Sequence, residues 1–385
     1  MTDTTTTSVP VPGEATASGS RRLRVLFCWA HISGYMASCW RRMARDTSID
    51  MHVVALTPGK SANVAFNASL MAEIPHTLIP DDELPGNPKV REAAIAHKPD
   101  VIVLCGWHLA EFTNLAADPA FANVKFIMGM DTPRNDTLRQ RLGKYARRAY
   151  FARLDHVFCT GERSWQLARL LGFPEEKISR GVYGIDYAHF EPLCEQRVNQ
   201  PGGWPRRFLF IGRYSEVKAI DVLAAAYKKY RTMSPDPWPL TIMGSGPMAD
   251  LISSVEGVEN LGFVQPKDQP AQLLRAGAFV LASRFDPWPL VIVEACAAGL
   301  PVIASNACGS AVELVRPYFN GRMVATENPD AMARGMLWLD RAAANDPNLL
   351  AEMGRRSRAL AAAYSFDMWH ARWTGVMRDL TGINA

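Results

Sequence analysis

Apolar residues in this chain fall in short unbroken runs, separated by longer stretches of mixed polarity. Leu23-Arg-Val-Leu-Phe-Cys28 is the first run, and Ala30-His-Ile-Ser-Gly-Tyr35 follows it as a polar, glycine-containing turn. Further runs occupy 51–56, 100–105, 124–128 and 156–159, with helical stretches running toward Arg45 and onward from Glu162. Short buried strands alternating with helices predict a parallel sheet covered by helices on both faces. The pattern lapses after Phe190. Residues 191–206 carry Pro and Gly and read as a linker. Alternation then restarts with runs at 207–211, 240–243, 278–281 and 301–304. The expected organisation is an α/β domain over 21–190, the linker, a second α/β domain over 207–364, and a closing helical segment over 365–385. That last segment is expected to pack back across the first domain.

Composition narrows the class. A chain of 385 residues suits two cores of roughly 150–200 residues each. No apolar run approaches the roughly 20 residues that span a bilayer. Residues 1–20 are rich in Thr, Ser and Pro without an apolar centre, which predicts a disordered tail and not a secretory signal. Seven cysteines lie at 28, 39, 105, 159, 194, 296 and 308, with no Cys-x-x-Cys pair. That spacing predicts reduced thiols and a cytoplasmic setting. A net charge of +4 neither demands nor excludes nucleic acid, and none is expected as a partner.

In open parallel sheets, ligands sit beyond the carboxyl ends of the strands, so the strand-to-helix turns are where chemistry is sought. Gly212-Arg213 and Lys218 place a tight turn and two cations before a helix, a setting that favours anions. Gly244-Ser-Gly246-Pro-Met-Ala249 formally fits a dinucleotide fingerprint, but it opens the second strand unit of its domain, where a plain turn is the stronger reading. Asp286 on a loop and Glu294 on the following helix can face one cleft, where carboxylates accept hydrogen bonds from sugar hydroxyls. The bland reading makes Glu294 a helix-start ion pair. Gly309 and Glu313 follow the next strand, and Asn320-Gly321 closes the unit.

Taken as an ordered set, these residues resemble glycosyltransferase family 4, the retaining enzymes of the GT-B fold. The set is Gly212-Arg213…Lys218, Gly244-Ser-Gly246-Pro, Gly262-Phe-Val264, Ser283-Arg-x-Asp286-Pro…Glu294-Ala, Ala298-Gly-Leu-Pro-Val302, Gly309…Glu313 and Asn320-Gly321. Val182-Tyr-Gly-Ile-Asp186…Phe190 extends it more loosely into the first half. The resemblance implies two Rossmann-like doubly wound domains facing across a cleft, and a nucleotide sugar, with a UDP- or GDP-type carrier, bound mainly to the second. Arg213 and Lys218 would neutralise the departing diphosphate. Glu294 would hold the ribose and Asp286 the donor sugar, with Phe263 and Val264 near the base. Gly212, Gly244, Gly246, Trp288, Leu290, Gly309 and Glu313 would complete the donor side. A glycan, lipid-linked saccharide or small-metabolite acceptor would bind the first domain near Ser33, Gly34 and His108. No metal or other cofactor is implied, and no Asp-x-Asp motif is present.

Two departures from the family pattern stand out. Asp286 replaces the usual Glu, and Trp288 and Pro289 stand where Phe and Gly are usual, so one backbone donor is lost and φ is fixed. Where many members carry a His after the 124–128 strand, this chain has Asp131, which becomes the candidate for contacting the sugar or orienting the acceptor. His31 and His108 also lie at strand ends. Two further functions share the architecture: a sugar-nucleotide epimerase and a non-catalytic binding subunit. Finally, Leu138–Arg153 reads as a basic amphipathic helix. It fits peripheral contact with anionic lipid, contact with a phosphorylated or lipid-diphosphate acceptor, or a solvated helix packed on the first sheet.

Overall fold

The structure, a computed structural model, describes residues 21–58, 68–346 and 348–383; the tail expected over 1–20 lies outside the described residues. Two wholly parallel sheets form the frame. The first contains β1 (Leu23–Trp29), β2 (Ile49–Thr57), β3 (His76–Pro80), β4 (Val101–Cys105), β5 (Lys125–Met130), β6 (His156–Cys159) and β7 (Ile178–Arg180), in the order β3-β2-β1-β4-β5-β6-β7. The second contains β8 (Phe208–Ile211), β9 (Leu240–Met243), β10 (Val258–Asn260), β11 (Ala278–Leu281), β12 (Val302–Ser305) and β13 (Gly321–Val324), in the order β10-β9-β8-β11-β12-β13. Strand order reverses between β1 and β4 and again between β8 and β11, so each sheet has a crevice at that switch point.

β1 shows why the apolar runs were unbroken. Val25 and Phe27 enter one core layer, while Leu26 and Cys28 enter the other. A strand covered on both faces needs no polar alternation. All seven cysteines are free thiols, and all but Cys105 are buried.

The expected linker is packed structure. Pro192–Val198 is a helix, and Arg197 on it is fully buried. Its guanidinium donates to the carbonyls of Ala298 (2.7 Å), Gly299 (3.1 Å) and Leu273 (2.6 Å), and it lies over the Trp204 ring. With no carboxylate beside it among the described residues, burial draws its pKa down to about 10. Residues 192–206 therefore belong physically to the second domain.

The chain then returns. The Phe366–Thr381 helix lies against the first domain, where Trp369 and Trp373 are fully buried. Their indole N–H groups donate to the carbonyls of Val182 (2.8 Å) and Gly181 (3.1 Å), and Trp373 stacks on Phe158 at 3.8 Å. Truncating one such residue costs roughly 3–5 kcal/mol, so this return anchors the helix firmly.

Candidate active site

A cleft of about 740 Å³ separates the domains. Gly34, Tyr35 and Arg41 line it from the first domain, and Gly212, Lys218, Asp286, Leu290 and Glu294 from the second. Each side is presented by a turn at a strand's carboxyl end.

Asp286 follows β11. Its backbone carbonyl accepts from Gly309 N at 2.9 Å, and it makes an isolated parallel bridge with Cys308. Its side chain meets Lys218 Nζ in an ion pair, and both residues are largely buried. Lys218 is set by the short 3-10 turn Glu216–Lys218, which ends at Ala219 in the left-handed region (φ 53°). Arg284 ties the two turns together. Its N–H donates to Val217 O at 2.8 Å, and its guanidinium grips the Asp221 carboxylate at 2.6 and 2.8 Å. The sequence reading gave Lys218 and Asp286 separate tasks; the structure makes them one charged unit in the cleft wall. The pair is charge-balanced, and the ammonium retains two further N–H donors for a ligand.

Glu294 lies on the Leu290–Ala297 helix and lines the same cleft. It is not a helix-start ion pair: among the described residues no cation lies beside it, and burial alone raises its pKa to about 7. Pro289 is the N-cap of this helix. The unpaired N–H groups of the first turn belong to Leu290 and Val291, which the second proline of the turn leaves intact. A Pro-Trp-Pro turn thus still presents a helix N-terminus to the cleft.

The glycines of the Gly-Ser-Gly turn have a packing reason. Gly244 and Gly246 have φ of 143° and 153°. A Cβ on Gly244 would lie 1.9 Å from Gly212 O, and one on Gly246 would lie 2.3 Å from Tyr214 O. Gly244 N also donates to Gly262 O at 2.8 Å. Three turns are gathered at the sheet's edge, with Phe263 67% exposed beside them. Arg213 is exposed, and among the described residues it has no ion-pair partner.

Three residues read as donor contacts also make structural contacts of their own. Glu313 Oε1 accepts from the backbone N–H of Glu162 at 2.7 Å, across the domain boundary, with Arg180 at 3.9 Å. A carboxylate there caps the Glu162–Leu171 helix of the first domain. Gly309 lets its helix approach Pro287, whose carbonyl oxygen would lie 1.8 Å from a Cβ. Trp288 lines the cleft, but its ring also abuts Gly161 so closely that a Cβ there would sit 2.3 Å from it. The turn carrying Asp286 is thus buttressed by the first domain.

Opposite lies a pocket of about 370 Å³ in the first domain, lined by Ser33, Tyr35, His108, Asp131 and Tyr183. Ser33 Oγ caps the Gly34–Ala44 helix, accepting from Met36 N at 3.4 Å. Asp131 accepts from the Tyr183 hydroxyl at 3.2 Å. Burial raises the pKa of Tyr183, and Asp131 raises it further. Burial, then the neighbouring His31, lowers the pKa of His108, which favours the neutral ring. Sequence reasoning missed the tyrosines: Tyr35 directly follows Gly34, and its ring meets that of Tyr183 edge-on at 5.3 Å. Among the described residues, no group of three His, Cys, Asp or Glu side chains is placed to hold a metal ion.

Two doubly wound domains with facing carboxyl edges and a returning C-terminal helix define the GT-B fold. Residues 195–359 match the family described as Glycosyl transferases group 1. The chain is 26% identical over 177 residues to an uncharacterized glycosyltransferase of Haemophilus influenzae, covering 45% of this chain and 49% of that one. It spans about half the length of the curated relatives it matches. A solved glycosyltransferase from Rickettsia africae superposes with a TM-score of 0.72 at 16% identity, covering 93% of this chain and 98% of that one. An Anabaena protein in complex with UDP superposes at 0.70, also at 16% identity, covering 93% and 100%. The structural likenesses show the fold, and the sequence matches support the GT-B glycosyltransferase superfamily.

Proposed function

We propose that this protein is a retaining glycosyltransferase that moves a sugar from a nucleotide-sugar donor to an acceptor hydroxyl, without a metal. One observation carries this reading: the Lys218–Asp286 pair, the uncompensated Glu294 and an open helix N-terminus share one cleft, facing an acceptor-sized pocket. The donor diphosphate lies against Lys218 and the N–H groups of Leu290 and Val291, with Arg213 free to close on it. These fixed donors stabilise the charge that develops as the bond to the anomeric carbon breaks. Ionised Glu294 accepts from the two ribose hydroxyls. Asp286, held by Lys218, keeps one carboxylate oxygen for a sugar hydroxyl. The acceptor enters past Tyr35 and Asp131, and the leaving phosphate takes its proton. The match to glycosyltransferase relatives and the likeness to a protein solved with UDP-glucose support this reading.

A thermal-shift panel of UDP-, GDP- and ADP-sugars tests it. A true donor stabilises the fold by mass action, about 2.7 kcal/mol at 100 times its Kd. No shift with any member would refute donor binding. Conversion of donor without acceptor would instead identify an epimerase. We also place the protein at a membrane surface through Leu138–Arg153, although no described helix is long and apolar enough to cross a bilayer.

A further inference from the structure

The Leu138–Arg153 segment is not one helix. It breaks at Arg147 into Leu138–Ala146 and Arg148–Arg153. The first piece is turned inside out. Gln140 is its buried residue and bonds to Pro133 O (2.8 Å) and Asn135 N (2.9 Å). Leu138, Leu142 and Tyr145 are 72%, 55% and 68% exposed. At 100° per residue these three lie within about 60° of one another and opposite Gln140. Water is a poor solvent for such a stripe, and a helix that packed it on the sheet would have the reverse orientation.

The cations of this segment are also uncommitted. Among the described residues, Arg139, Lys144, Arg147 and Arg148 have no carboxylate within ion-pair distance, and Arg141 reaches Asp136 only at 3.9 Å. Behind them opens a separate groove of about 400 Å³. Its floor is Phe151, Leu154, Leu171 and Phe173, and Lys144, Arg148 and Lys177 stand on its rim. Glu175 and Glu176 share the turn of Lys177 but do not line the groove.

We infer that this face docks on an anionic lipid surface and that the groove receives the apolar chain of one anionic lipid. Leu138, Leu142 and Tyr145 enter the interface, Arg139 and Arg141 beside them meet headgroup phosphates, and Lys144, Arg148 and Lys177 hold the phosphate of the lipid in the groove. The inference deepens the membrane part of the proposed function. Arg139 is near enough to His108 to bear on its titration, so the docked face adjoins the acceptor pocket. A lipid-borne acceptor would reach the cleft without leaving the bilayer.

The test uses the full chain in two assays. The first is flotation with vesicles of phosphatidylglycerol and phosphatidylcholine, against phosphatidylcholine alone. The second is calorimetric titration with lysophosphatidylglycerol below its micelle concentration, against glycerol 3-phosphate. Wild type should float only with the anionic vesicles and bind the lysolipid but not the headgroup. Ala152→Phe, at an exposed position lining the groove, should weaken lysolipid binding at least tenfold and still float. The triple variant Lys144→Gln, Arg148→Gln, Lys177→Gln should weaken vesicle binding about a hundredfold. Equal flotation on both vesicles, or none, overturns the docking surface. Lysolipid binding unchanged by Ala152→Phe overturns the groove. A nucleotide-sugar thermal shift on the same samples separates the readings: a shift without lipid binding leaves the transferase standing and removes only this inference.

Discussion

Glu294→Gln isolates the one carboxyl group that, among the described residues, the fold buries in the cleft without a cation. Its pKa is 4.5 in an unperturbed chain and about 7 in the folded protein, with burial as the cause. Below pH 4.5 both states hold the proton, and the site imposes no ionisation penalty. As pH rises from 4.5, the unfolded chain releases the proton while the folded one keeps it, so stability falls. The slope reaches up to 1.36 kcal/mol per pH unit, and the loss levels off above pH 7 at about 3 kcal/mol. Gln has no proton to lose. Urea unfolding of both proteins, followed by tryptophan fluorescence at pH 5, 6, 7 and 8, gives the difference. The variant should gain on wild type by about 2.5 kcal/mol between pH 5 and pH 8. A difference constant with pH would show that burial does not raise the Glu294 pKa, and a wild type that gains with pH would show that a cation holds it ionised; either refutes the reasoning. A donor whose ribose needs the ionised group should bind wild type more tightly as pH passes 7, and the variant without that rise.

Three further substitutions probe the frame. Gly244→Ala forces a left-handed φ on alanine and drives its Cβ into Gly212 O, so it should destabilise by about 3 kcal/mol or more; an unchanged melting temperature would contradict the turn packing. Arg197→Met leaves the buried carbonyls of Ala298, Gly299 and Leu273 short of donors and should cost about 2 kcal/mol or more in chemical denaturation, whereas a true linker would tolerate it. Glu313→Ala should speed hydrogen exchange at the Glu162 amide while leaving nucleotide affinity within about twofold; a large loss of affinity would return Glu313 to the donor site.

The legible parts of the chain share a physical cause. Every strand read from the sequence is buried on both faces and so appears as an apolar run. The four strands that were missed, β3, β7, β10 and β13, are the four sheet edges. Residues such as His76, Arg180, Glu259 and Arg322 interrupt them because one side meets solvent. The 191–206 stretch looked like a linker because Pro, Gly and charge mark loops, and nothing local says that Arg197 will find three carbonyls. Lys218 and Asp286 stand 68 positions apart, and only the pairing of β8 with β11 brings them together. Spacing pointed Asp286 and Glu294 at one cleft, and both line it. It could not show that one acid is neutralised by lysine while the other is left alone. Glu313 meets a partner in the other domain, a relation that no motif within the second half encodes.

Transfer itself is the most direct test. The purified protein is incubated with the donor selected by the thermal-shift panel and a set of glycan and lipid-linked acceptors, and the product is analysed by mass spectrometry and by NMR at the anomeric position. The expected result is sugar joined to an acceptor with the donor's anomeric configuration retained, nucleoside diphosphate released in equal amount, and no product from Lys218→Ala. Donor epimerised in the absence of acceptor, product of inverted configuration, or full turnover by Lys218→Ala would contradict it.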